Sequence, residues 1–189
     1  VLDIVASLAA LPLFAAVSVV LVPLIRLSDG GPALYVSQRR GMDGRHFTMY
    51  KFRTMKVNAP ELRNADLSTV TSDSDPRVTK VGRVLRGASL DELPQLINVL
   101  KGDMSLVGPR PNLTRQTWDE LTDIERKRLR ARPGITGWAQ AELRNSGTTA
   151  EKYMLDARYV DELSFVLDFR ILLKTVMSVI TAKNINAQR

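Results

Sequence analysis

The 189-residue chain has no cysteine and a single histidine, His46. The first absence excludes disulfides, thiol nucleophiles and cysteine-built zinc sites. It fits a reducing cytoplasm. The second excludes a multi-histidine metal centre, and His46 is given no role. Aromatic residues make up only 6% of the chain, which argues against a platform that stacks nucleic-acid bases. Neither GxxxxGK followed by Ser or Thr nor GxGxxG occurs, so a P-loop or dinucleotide-binding turn is not expected. Acidic residues are outnumbered, 20 against 27 basic, for a net charge of +7 and a pI near 10.0. A partner carrying negative charge is implied: nucleic acid, phospholipid or a phosphorylated substrate.

Charge is also missing between Asp3 and Arg26. The apolar run 4–25 holds about 22 residues, enough for one helix to cross a bilayer. Pro12 and Pro23 interrupt it, and a proline inside a helix removes a hydrogen bond and bends the chain. Composition favours a single spanning anchor over a helix that enters, bends at Pro12 and leaves on the same side. A signal peptide is the other reading of such a run, but it has no Lys- or Arg-rich start and no convincing small-residue cleavage site.

Beyond it the sequence reads as one small α+β unit, mainly helical. Asp43-Gly44 between two aromatic and β-branched stretches predicts a hairpin over 33–55. Its arms carry Arg39, Arg40, Arg45, Lys51 and Arg53, either a solvated face or a cationic floor for phosphates. The polar stretch 58–76 reads as a surface loop. Arg77, Lys80, Arg83 and Arg86 recur at every third residue, a basic stripe if helical. Ser89 and Glu92 form a capping-box pattern, predicting a helix to about Leu100 with Leu93, Leu96, Ile97 and Leu100 as its apolar face and Gly102 as its stop. Further helices are predicted over 117–132, 150–162 and 164–182. The last carries Phe165, Phe169, Leu172, Leu173, Val176, Val179 and Ile180 at helical spacing, as core or as a membrane-interface face. "RPGITGWAQ" between the first two reads as a tight loop presenting Trp138.

The chemistry concentrates in "SLDELPQLINVLKGDMSLVGPRP". Asp91 and Glu92 are adjacent, so on a helix their carboxylates diverge by about 100° and can take different tasks, one attacking and one holding a cation. Two acids at a helix start are also an ordinary way to stabilise its dipole. Arg86 precedes the pair, and Arg110 stands between Pro109 and Pro111, which limit its backbone freedom. Arginines beside a carboxylate pair suit phosphoryl transfer, which depends on placement and charge neutralisation, usually with Mg²⁺.

This stretch, with "YKFRTM" and "RPGITGWAQ", closely resembles the bacterial sugar transferases acting on polyprenyl phosphate, the monotopic phosphoglycosyl transferases. The resemblance runs from Asp3 to about Thr181, and "DGGPALY" is similar to the branch transferring hexose-1-phosphate, whose larger members carry extra N-terminal helices ahead of the point where this chain begins. It implies that a sugar-1-phosphate passes from a UDP-sugar to membrane polyprenyl (undecaprenyl) phosphate, with release of UMP, early in glycoconjugate or exopolysaccharide assembly. It places the nucleophile on Asp91, which would form a phosphosugar-aspartate intermediate, and its partner on Glu92. Phosphate and substrate contacts are expected from Arg86, Arg110, Lys51, Arg53 and Arg144, and Mg²⁺ ligands from Asp91, Glu92 and Asp168. It also implies that residues 1–27 form a re-entrant membrane helix bending at Pro12, and that 28–189 form the catalytic domain, with interfacial amphipathic helices, on the cytoplasmic face of the bacterial inner membrane. Membrane lipids are expected partners, a homodimer is left open, and nucleic acid is not expected. Two departures stand out: no Ser-Pro pair breaks the apolar run, and Leu143-Arg144-Asn145 replaces the Gly-Arg-Asn of many relatives. The rivals are a non-catalytic membrane adaptor with a basic lipid- or phosphate-binding face, a nucleic-acid binder, and a nucleotide-sugar enzyme needing no lipid acceptor.

Overall fold

The computed structural model describes residues 2–60, 62, 75–143 and 146–180. Most of the polar stretch 58–76 lies outside them, as do Arg144 and Asn145. The architecture is α+β, as expected. The N-terminal helix α1 (Leu2–Asp29) leads to strands β1 (Leu34–Arg40) and β2 (His46–Phe52). Helices α2 (Lys80–Gly87) and α3 (Gln95–Lys101) follow, then β3 (Ser105–Val107), β4 (Asn112–Leu113) and α4 (Asp123–Arg128). Strand β5 (Gly134–Thr136) and helices α5 (Trp138–Leu143), α6 (Thr149–Glu162) and α7 (Phe165–Ile180) complete it.

The hairpin forms where Asp43-Gly44 places it. Both residues take positive φ, 53° and 78°, and β1 pairs antiparallel with β2 from Leu34↔Phe52 to Arg40↔His46. Strand β4 adds to the other edge of β1, giving the order β2-β1-β4. A second sheet pairs β3 with β5 in parallel, Ser105↔Gly134 and Val107↔Thr136. The expected tight loop is therefore a strand followed directly by a helix. Gly134 permits it, because a Cβ there would lie 2.1 Å from the Gly108 nitrogen.

Helix α1 is unbroken across Pro12 and Pro23, so the expected bend at Pro12 is no interruption of the helix. Its 28 residues extend for about 42 Å, more than a bilayer's hydrocarbon core. Leu21 and Ile25 pack with Ala33, Phe52 and Leu85. On its other side Leu8, Leu13, Val19, Val20 and Leu27 are exposed. Both ends are tied to the same body. Asp3 accepts from Ser105 Oγ and the Leu106 amide, each at 3.0 Å, and Asp29 accepts from Arg53 at 2.5 Å and the Val57 amide at 3.0 Å.

Helix α3 is seated by Asn98, which is fully buried. Its Oδ1 accepts from the Tyr50 amide at 3.1 Å and its Nδ2 donates to the Thr48 carbonyl at 2.6 Å, along the free edge of β2. The buried face of α3 is thus Gln95, Leu96, Asn98 and Val99, more polar than predicted, with Ile97 and Leu100 only half-buried. Gly102 ends the helix at φ 84°, as expected. The helix expected over 117–132 shrinks to α4, because its capping box is Thr122 with Glu125. Thr148 with Glu151 caps α6 in the same way. Helix α7 divides its apolar pattern between a buried and an exposed side. Ile171 joins a core with Val107, Ala131, Ala141 and Tyr159, while Phe165, Val166, Phe169, Leu173, Val176 and Met177 stay exposed.

Candidate active site

The predicted capping box at Ser89 does not form. Pro94 explains why: in a helix running from Ser89 its ring would press on the carbonyl four residues back, at Leu90. Ser89 instead takes φ 56° with no side-chain cap, Leu90–Glu92 make a single 3₁₀ turn, and α3 begins after Pro94. Asp91 and Glu92 therefore ride on a short turn between α2 and α3, not in the first turn of a long helix. A non-glycine residue at positive φ is uncommon and often marks a functional turn.

Around this turn the fold gathers cations from distant segments. Lys51, on β2, donates to Glu92 Oε1 at 2.5 Å. Glu92, Lys51 and Arg110 line one pocket with Arg39, Met49, Gln95, Pro111, Gly134, Ile135 and Gln140. Arg86, near the end of α2, donates to Thr54 Oγ1 at 2.9 Å, and its charge reaches Asp91. The two acids are pushed apart. Burial raises Asp91 to about 6, opposed by Lys51 and Arg86 and reinforced by Glu92. Burial acts on Glu92 the same way, but Lys51, Arg110 and hydrogen bonds from Lys51 and Gln95 hold it below its ordinary value. A carboxylate near 6 remains mainly ionised at neutral pH and is a stronger nucleophile than one near 4. The arrangement leaves Asp91 able to attack and Glu92 firmly anionic.

Arg110 is held from beneath. Its amide donates to Asp156 Oδ2 at 3.3 Å and its carbonyl accepts from Arg128 at 2.8 Å. Arg128 and Asp156 pair at 2.5 Å with only 2% of each side chain exposed. Arg128 also lies 4.1 Å from the Tyr153 ring centre and donates to Asn112. The Pro-Arg-Pro segment thus sits on a buried ion pair while the Arg110 residue stays exposed at the pocket. This support escaped the sequence reading. Arg128 and Asp156 lie in charged, helical-looking stretches, and no local pattern marks them for burial.

Two predicted site residues, Arg53 and Asp168, stand apart from the pocket. The Arg53 guanidinium is buried and committed to Asp29, the Pro32 carbonyl at 2.5 Å and the Met55 carbonyl at 3.1 Å, so it holds the end of α1 instead of reaching the pocket. Arg144 lies outside the described residues. Asp168 accepts from Tyr159 at 2.7 Å and lies near Asp3, with burial raising its carboxyl. Among the described residues no three acidic or histidine side chains gather in reach of one cation, so Asp168 does not complete a triad with Asp91 and Glu92. The adjacent pair alone still fits Mg²⁺, whose protein ligands are commonly one or two carboxylates supplemented by substrate phosphates. The basic stripe before the dyad is also shorter than expected. Thr79 caps α2, and Arg77 lies before the helix in a buried pair with Asp75 at 2.6 Å.

The model of a family described as bacterial sugar transferase matches residues 1–182. The chain is 43% identical over 164 residues to an uncharacterized sugar transferase, EpsL, of Bacillus subtilis, covering 87% of this chain and 78% of that protein. It is 40% identical over 193 residues to a UDP-glucose:undecaprenyl-phosphate glucose-1-phosphate transferase of Caulobacter vibrioides, covering 97% and 70%. It is 41% identical over 187 residues to the galactosyl transferase CpsE of Streptococcus agalactiae, covering 95% of this chain but only 41% of that longer protein.

Proposed function

The chain belongs to the bacterial sugar transferase family and is a phosphoglycosyl transferase, and from that premise we propose that it transfers a sugar-1-phosphate from a UDP-sugar to polyprenyl phosphate through a covalent intermediate on Asp91. The observation that carries the reading is the dyad turn, with Asp91 raised to about 6 and Glu92 lowered, beside Lys51, Arg86 and Arg110. Relatives named for undecaprenyl phosphate with glucose or galactose support the donor and acceptor classes.

In the first step an Asp91 carboxylate oxygen bonds to the β-phosphorus and the phosphoanhydride bond breaks, so UMP departs with the bridging electron pair. In the second step an oxygen of polyprenyl phosphate bonds to the same phosphorus. The aspartyl–phosphorus bond breaks and the carboxylate is restored. Splitting one transfer into two gives each step a preorganised nucleophile. Arg110 and Arg86 suit forked contacts to phosphate oxygens, and Lys51 holds Glu92 in place. Mg²⁺, when bound by Glu92 and Asp91 with the diphosphate, would neutralise charge on the phosphoryl oxygens.

A membrane seat on one side of the bilayer is part of the proposal. Both ends of α1 bond to the same body while α1 and α7 expose apolar residues outward. A helix crossing the bilayer would carry one of those ends away from the body. We place the body on the cytoplasmic face of the bacterial inner membrane, where a UDP-sugar is available and a polyprenyl phosphate headgroup lies at the surface. Incubating the chain in nanodiscs with undecaprenyl phosphate, Mg²⁺ and a panel of UDP-hexoses tests the reading. Acceptor-dependent release of UMP from one donor, lost with EDTA and restored by Mg²⁺, is expected. Release of UDP, or turnover indifferent to the lipid, contradicts it.

A further inference from the structure

We propose that Asp3 is a positioning residue: it clasps the head of α1 to β3 and thereby sets the segment that carries Arg110. Among the described residues strand β3 has one strand partner, β5, which it meets at Ser105 and Val107. The intervening Leu106 amide points to the open side, where no strand can satisfy it. Asp3 takes that amide and the Ser105 hydroxyl on a single carboxylate oxygen, each at 3.0 Å, across more than a hundred residues of sequence. A charge-assisted acceptor on an otherwise unpaired edge donor is a strong local bond. Tyr159 closes the same corner, its one hydroxyl proton within reach of both Asp168 at 2.7 Å and the Val107 carbonyl at 3.2 Å.

The strand so gripped leads directly into Gly108, Pro109 and Arg110. Two prolines flank Arg110, so little backbone flexibility lies between the clasp and the Arg110 Cα from which the guanidinium projects. The Asp156 and Arg128 contacts hold the far side of this segment, and Asp3 holds the near side. Asp168 belongs to this corner by geometry, beside Asp3 and Tyr159, and not to the pocket lined by Glu92 and Arg110. Seating of the apolar helix and placement of the phosphate-binding arginine are therefore coupled through one carboxylate. The coupling rests on reading Arg110 as a substrate contact.

The test uses the full chain in nanodiscs, with Asp3→Ala, Asp3→Asn and Ser105→Ala. Asparagine retains an acceptor oxygen and alanine does not. Asp3→Ala should raise hydrogen exchange of the peptide spanning Leu106 by about tenfold or more, since local opening governs exchange. It should cut kcat by about tenfold while KM for the UDP-sugar moves less than about threefold, because a misplaced group costs chiefly the transition state. Asp3→Asn should stay within about threefold of the parent in both readouts. Ser105→Ala, which keeps the Leu106 bond, should fall between them and carries the test if Asp3→Ala does not fold. Unchanged exchange at Leu106 in Asp3→Ala overturns the clasp. Raised exchange with unchanged turnover overturns the positioning role. Arg110→Ala separates the two levels: full activity there refutes the reading of Arg110, while the exchange result still judges the clasp.

Discussion

Asp91 and Glu92 are chemically similar neighbours that the fold makes unequal. Both are desolvated, but Glu92 is paired directly with the Lys51 ammonium and hydrogen-bonded by it, whereas Lys51 and Arg86 only partly offset the burial of Asp91. In metal-free protein Asp91 should titrate near pH 6, measurable by carbon NMR of labelled aspartate. Lys51→Met removes a charge that lowers Asp91 and should move the midpoint upward. The sign for stability follows. A carboxyl raised above its ordinary 3.8 destabilises the fold when ionised, and that cost is relieved as pH falls through about 6. Asp91→Asn should therefore melt a few degrees higher at neutral pH while losing activity, as strained functional residues commonly do. Arg110 makes a second case. Arg110→Lys keeps the charge but loses the fork, and forfeiting a charge-assisted contact worth about 1.5–3 kcal/mol should lower kcat/KM by about tenfold or more. Equal activity in the lysine variant would reduce Arg110 to a surface charge.

At the scale of elements, the site depends on how α3 and the short strands are bolted together. Asn98→Ala leaves the Tyr50 amide and the Thr48 carbonyl without their partner in a buried place. A cost of about 2 kcal/mol is expected, read as a melting shift of about 4–8 °C for a chain of this size. A shift under a degree would show that water replaces the side chain. The elements legible in the sequence were those with local chemical punctuation. Asp43-Gly44 named the hairpin, Gly102 the end of α3, and the apolar spacing of 164–182 the last helix. Strands β3, β4 and β5 run for two or three residues each, too short for an alternating pattern to show. Ser89 misled because its capping pattern is real as chemistry but is overridden by Pro94. The motif resemblance singled out the dyad and Arg110, and Glu92 and Arg110 line one pocket. The Arg128–Asp156 pair beneath Arg110 was not legible, because pairing across 28 residues leaves no periodic trace.

For the whole molecule, the question is how a cationic body meets a lipid acceptor. The chain contains no cysteine, so single ones can be introduced without background. Leu2→Cys and Ser28→Cys stand near the two ends of α1. Both should resist an impermeant thiol reagent applied outside intact cells and react once the cytoplasmic face is opened, because Asp3 and Asp29 tie both ends to one body. Labelling of position 2 from outside would mean that α1 spans. In that case the exposed apolar sides of α1 and α7 need a different explanation. The contradiction would reach the clasp as well, since it requires both ends of the helix on one side.

The central claim is that Asp91 carries the sugar phosphate between donor and lipid. Its most direct measurement gives the enzyme a UDP-sugar labelled at the β-phosphate, without acceptor, and quenches within one turnover. The account predicts stoichiometric label on the protein, mapped to the peptide containing Asp91, discharged by undecaprenyl phosphate and absent from Asp91→Asn. Turnover by wild type with no labelled protein at any time, or undiminished turnover by Asp91→Asn, would contradict it.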